Sequence, residues 1–146
     1  MSYATAAELR QRIGVSVFNE IYAVPNGSDL SGLPGIADDL ESASAEIDGA
    51  IASRYALPVT GERSLALLKD WNLTLAEERA YARPAGGDFS AKIKRRADQV
   101  RKYLEMIRTD EFKLPDAGEN VSGPGGTIAL IRRDEPIFDR EKMNGY

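Results

Sequence analysis

A chain of 146 residues with a net charge of −4 reads as one globular domain, and its acidity argues mildly against nucleic acid as its main partner, since gripping phosphate needs clustered Lys and Arg. Hydrophobic residues at 42% and charged ones at 29% exclude a disordered chain. The absence of cysteine and histidine excludes a disulfide framework, a thiolate metal site and Ser–His or Cys–His nucleophiles.

Such a length buries roughly two-thirds of its unfolded surface if all of it folds compactly. No apolar run approaches the ~18 residues of a membrane span, and the first residues lack a basic-then-apolar signal pattern. The expected location is therefore the cytoplasm, or something assembled there. Charge is uneven. Residues 1–57 hold 3 basic and 8 acidic side chains, whereas residues 88–110 hold 7 basic and 4 acidic ones. That asymmetry suits either complementary surfaces between subunits or two solvated helix faces of opposite bias.

Thr5-Ala6-Ala7-Glu8 has the spacing of a capping box, and a short helix through Leu9 and Ile13 should follow, stopped by Gly14. Ser16 is placed to cap a second short helix carrying Val17, Phe18, Ile21 and Tyr22. Residues 25–35, PNGSDLSGLPG, are loop by composition. The central element comes next. Ile36, Leu40, Ala43, Ile47, Ile51 and Tyr55 recur at helical steps, which predicts a packed helix of about six turns ending just before Pro58. Its small residues allow neighbouring backbones to come close.

Pro58 to Arg63 reads as a turn, after which Ser64 should cap a leucine-rich helix. Leu65, Leu68, Trp71 and Leu75 share one side, and Leu67 widens the stripe enough to predict burial on more than one side. Pro84-Ala85-Gly86-Gly87 breaks it. A last helix is expected from near Asp88, with Phe89, Ile93, Ala97, Val100, Leu104 and Ile107 inward. Lys94, Arg95, Arg101 and Lys102 should lie mostly on the far side, and the helix should fade near Thr109, with Pro115 closing the helical region.

Beyond it, AGENVSGPGG is a linker by composition. Ile128, Leu130, Ile131, Ile137 and Phe138 follow, too few to form a core, and a lone extended segment has no stability in water. Either this arm folds back on its own helices or another chain orders it. The second is favoured, because strand addition and groove binding are how such arms find partners.

No stretch offers a catalytic constellation, and no serine has a lysine three residues on. Asp38, Asp39 and Glu41 lie close enough to share a cation, but acidic residues in a helix's first turn are expected from the macrodipole alone. Asn26 to Asp29 lacks the spaced ligands of a calcium loop, and Gly123 to Thr127 lacks the lysine of a phosphate loop. Residues 5–24 can be laid out as a helix-turn-helix, yet the would-be reading helix, Ser16 to Val24, carries Asn19 and Glu20 and no cation.

The opening YATAAEL, the block SAEIDGAIASRYALPV, the leucine-rich helix and the basic helix with YLEMI together resemble the Mu-like phage proteins regarded as head–tail connectors, or neck adaptors. The terminal FDREKMNGY is similar to the ending of longer members. The loop PNGSDLSGLPG departs from the acidic loop of many members, so no ion role is carried over.

The resemblance implies an all-α fold, a small bundle of about four to five helices with an extended C-terminal arm. Residues 1–114 would be the adaptor domain and 115–146 the linker and arm. About twelve copies would form a ring between portal and tail, through which genomic DNA passes. The expected interface residues are Ile128, Leu130, Ile131, Ile137, Phe138 and Tyr146, meeting a neighbouring copy, the portal or a tail-side neck or tail terminator protein. No enzyme activity, cofactor, metal or membrane contact is expected. The location would be the virion neck, assembled in the host cytoplasm. The alternative is a helix-turn-helix DNA-binding regulator.

Overall fold

Thr5 caps the first helix as its spacing predicts. Its hydroxyl accepts the Glu8 amide at 3.3 Å, and the Glu8 carboxylate accepts the Thr5 amide at 2.9 Å, closing both halves of the box. The computed structural model describes residues 2–25, 29–30, 33–87 and 90–118. Among these are five helices and no strand: α1 Ala6–Ile13, α2 Val15–Ile21, α3 Pro34–Ile51, α4 Glu62–Tyr81 and α5 Ala91–Arg108.

Gly14 both ends α1 and starts α2. Its amide reaches the Arg10 carbonyl at 2.9 Å and its own carbonyl accepts the Phe18 amide at 2.9 Å. Its φ of 104° is one that side chains resist. Ser16 consequently lies inside α2 rather than capping it. Glycine leaves no spare residue between the two helices for a separate cap.

The stripe read for α3 is buried in full: Ile36, Leu40, Ala43, Ile47 and Ile51 lie in the core, and so does Tyr55. The helix itself is shorter than expected, starting at Pro34 and ending at Ile51 instead of running to Pro58. Tyr55 still donates its amide to the Ile51 carbonyl at 2.9 Å, so a turn replaces the last helical stretch without moving the ring off the face. The Tyr55 hydroxyl accepts the Leu114 amide, also at 2.9 Å, which pulls the end of the body over the end of α3.

α4 is the centre of the bundle. It packs against α1, α3, α5 and the Pro84–Gly86 3-10 turn, as its broad stripe predicts. Leu68, Trp71, Leu75, Ala76 and Ala80 are buried, and polar Ser64, Asn72, Thr74 and Glu77 are buried with them. Leu65 departs from the expectation, remaining 41% exposed. Trp71 stacks on Tyr103 of α5, with ring centroids 5.9 Å apart, and Phe112 tilts against both rings. On α5, Ala97, Val100, Leu104 and Ile107 are buried as expected, and Ser90 caps the helix. Asp88 and Phe89, where the start was expected, lie outside the described residues.

Candidate assembly surface

The charged groups divide into those that lock helices together and those left outside. Arg101 was expected on the far side of α5. It points inward instead, forking onto Glu78 of α4 at 2.6 and 3.0 Å and reaching Glu46 of α3 at 2.7 Å. Arg79 takes the other oxygen of Glu46 at 3.0 Å. The carboxylates, Glu78 foremost, hold the Arg101 guanidinium well above its usual pKa. The position borders Val100 and Leu104, so a long side chain there snorkels over the core edge to find its partners.

Asp39 behaves similarly. Because α3 starts at Pro34, Asp38, Asp39 and Glu41 fall past its first turn, and the macrodipole does not explain them. Asp39 is buried under Arg83, which contacts it at 2.8 and 3.1 Å, and it accepts the Tyr22 hydroxyl at 2.6 Å. Burial first, and Asp39 second, keep Tyr22 protonated far above the ordinary phenol range. Arg12 of α1 completes the set, binding Asp70, Glu77 and Thr74 of α4. Part of the acidic–basic asymmetry is therefore consumed inside one molecule.

What remains outside is a cationic stripe on α5 and an apolar groove. Lys92, Lys94, Arg95, Arg96 and Lys102 are exposed, and none pairs with a carboxylate among the described residues. Asp38 and Glu41 of α3 stay exposed. No group of three or more acidic side chains among the described residues is arranged to hold a metal ion, and no described helix is long and apolar enough to cross a membrane.

The groove, of ≈ 900 Å³, lies where the N-terminal segment, the turn after α3 and the first turns of α4 meet. Val59 is buried, and Leu57 and Leu65 stand beside the opening at 42% and 41% exposure. Among the described residues only Val15 and Val17 are comparably bare large hydrophobics. Asp48, Glu62 and Lys69 supply its polar edge. Lys69 is held by Glu8 at 2.5 Å, and Asp48 accepts the Tyr3 hydroxyl, which burial first and Asp48 second push far above its usual pKa. Sequence reasoning placed Leu65 in the core and 58–63 in a plain turn. The run Leu57-Pro58-Val59, too apolar for a solvated turn, was the available signal.

The expected interface residues Ile128, Leu130, Ile131, Ile137, Phe138 and Tyr146 lie outside the described residues, as do Asn26 to Ser28 and Gly123 to Thr127. The described chain ends at Gly118, just after a residue that sequence reasoning passed over. Asp116 caps α4 from 52 positions away, accepting the Arg63 amide at 2.9 Å and the Ser64 amide and hydroxyl at 2.8 and 2.6 Å. Ser64 is thus not the cap; it sits inside α4 and holds the residue that is. Gly61 makes room, because at φ 113° a Cβ there would stand 2.5 Å from an Asp116 carboxylate oxygen.

The Ser64 hydroxyl, followed by the Arg63 amide, lowers the Asp116 pKa. A depressed carboxylate pKa contributes stability above the unfolded value and loses it as pH falls through the folded one. Asp116→Ala is accordingly expected to speed amide exchange of Arg63 and Ser64 at neutral pH, and to change little once acid has protonated the wild-type carboxylate. Equal protection in both proteins at neutral pH would remove the capping role.

The family model described as Bacteriophage Mu, Gp36 matches residues 3–129. No curated protein matches the chain.

Proposed function

Because the chain belongs to the Bacteriophage Mu Gp36 family, we propose that this phage protein is a head–tail connector: a ring-forming adaptor that sits between portal and tail in the virion neck, completes the head and lets DNA pass. It works as a structural part, without catalysis or cofactor. The observation that carries this reading is the division of labour in the body. Three inter-element arginine clusters, on Arg12, Arg83 and Arg101, use up charge internally, while an apolar groove at the start of α4 is left uncovered, on another side of that helix from the root of the arm. A rigid block with an open apolar surface suits assembly better than turnover of a substrate. Its partners would be further copies, the portal and a tail-side neck or tail terminator protein, with genomic DNA only in transit.

A nonsense mutation in this gene should yield DNA-filled or leaking heads without attached tails in electron micrographs of lysates. Normal tailed, infectious particles from the mutant would refute the connector role. The regulator reading gains nothing from the geometry. α2 is seven residues long and exposes Val15, Ser16, Val17 and Glu20, with no cation. Fluorescence anisotropy with labelled duplex DNA at low salt is expected to stay flat; salt-sensitive binding would revive that reading.

A further inference from the structure

We propose that the groove between Leu57, Val59 and Leu65 is the seat for the Ile128–Arg133 segment of a second copy's arm. The inference rests on the ring-forming reading and names the contact that would close the ring.

An open apolar hollow of ≈ 900 Å³ is large enough to take the anchor side chains of a short extended peptide. The segment Ile128-Ala129-Leu130-Ile131-Arg132-Arg133 has the matching chemistry. In extended form Ile128 and Leu130 would share one side, for the apolar walls, and the arginines follow directly. The groove's edge is net negative where they would arrive. Lys69 is occupied by Glu8, which leaves Asp48 and the exposed Glu62 to face an incoming cation.

The point where the described chain ends argues for a neighbour's arm over the chain's own. Asp116 is tied to Ser64, whereas Glu62, Leu65, Ala66 and Lys69 line the groove. At about 100° per residue, Ser64 lies roughly 150° around α4 from the middle of that set. The arm thus departs from a different side of the helix. Residues 119–127 span at most ~30 Å, enough to cross to a body packed alongside. The same length would also reach round the chain's own α4, the occupant that the double variant below tells apart. An arm-in-groove contact of this kind is heterologous, and repeating it builds a ring when the rotation between successive copies closes.

The chain has no cysteine of its own, which makes introduced thiols unambiguous reporters. Full-length Leu65→Cys and Ile128→Cys proteins are mixed and oxidised, and the products are mapped by mass spectrometry. The expected result is a covalent pair joining the two positions in different chains, and a ladder of multimers from the double variant. Adding Leu65→Asp to a partner test using the exposed Leu57→Cys as the groove thiol should cut the yield about tenfold or more, with helical circular dichroism confirming a folded body. An intramolecular link in the double variant, or no link while maleimide labels both thiols, would overturn the proposal. A ring seen by electron microscopy without this link would overturn it too, yet would leave the connector reading standing.

Discussion

Asn72→Asp is expected to destabilise the protein by about 3 kcal/mol or more at neutral pH, and by much less near pH 4. Asn72 is fully buried in α4. Its amide nitrogen donates to the Leu40 carbonyl at 3.1 Å and to the Ser44 hydroxyl at 2.8 Å, and its oxygen accepts the Ser2 hydroxyl at 3.3 Å. The carbonyl partner accepts only, so the orientation of the amide is forced by the network. Aspartate has the same shape but brings an acceptor against the Leu40 carbonyl and a charge with no cation beside it. Burial raises the folded pKa of that carboxyl above its unfolded value. The native state then binds more protons than the unfolded one, so stability falls as pH rises through that interval. Urea midpoints across pH 4 to 8 would measure it. A midpoint that does not move with pH would mean that the carboxylate finds water or a cation.

Trp71→Ala is expected to cost about 3–5 kcal/mol, enough to unfold most of a marginally stable domain at ambient temperature. Trp71 is 3% exposed and joins Tyr103 and Phe112 in one aromatic cluster. Alanine removes the largest side chain on α4 and leaves a void against Tyr103 and Phe112, which lose their ring partner. Trp71→Phe should retain most of the packing and lose about half as much. Thermal melts of the two variants, followed by circular dichroism, would check both. Equal melting temperatures for wild type and Trp71→Ala would mean that α5 is held by its ion pairs and not by the ring stack.

The comparison with Arg101 is instructive about which forces hold the body. Its clusters link three helices, yet they sit at the edge of the core, where solvent screens them. Arg101→Met, which keeps the stem over Val100 and Leu104, is expected to cost only about 1–2 kcal/mol. Apolar burial supplies most of the bundle's stability, and the arginines add modest cross-links between its elements.

Much of this was written in local spacing. The Thr5–Glu8 box, the stop at Gly14, the six-residue stripe from Ile36 to Tyr55 and the inner face of α5 depend on residues within a turn or two of each other, and helical geometry makes such patterns readable. The resemblance carried by the RYALPV block pointed to the family for the same reason: it is a contiguous string. Tertiary structure decided what lies far apart in the chain. Which residue caps α4 was settled by Asp116, 52 positions beyond Ser64, and Arg101 turned inward because Glu46 and Glu78 waited on two other helices. Leu65 belongs to an apolar stripe by spacing but borders an open groove, since no described element covers that side of α4. A sequence determines which face of a helix is apolar; only the packing of the other helices determines how much of that face is covered.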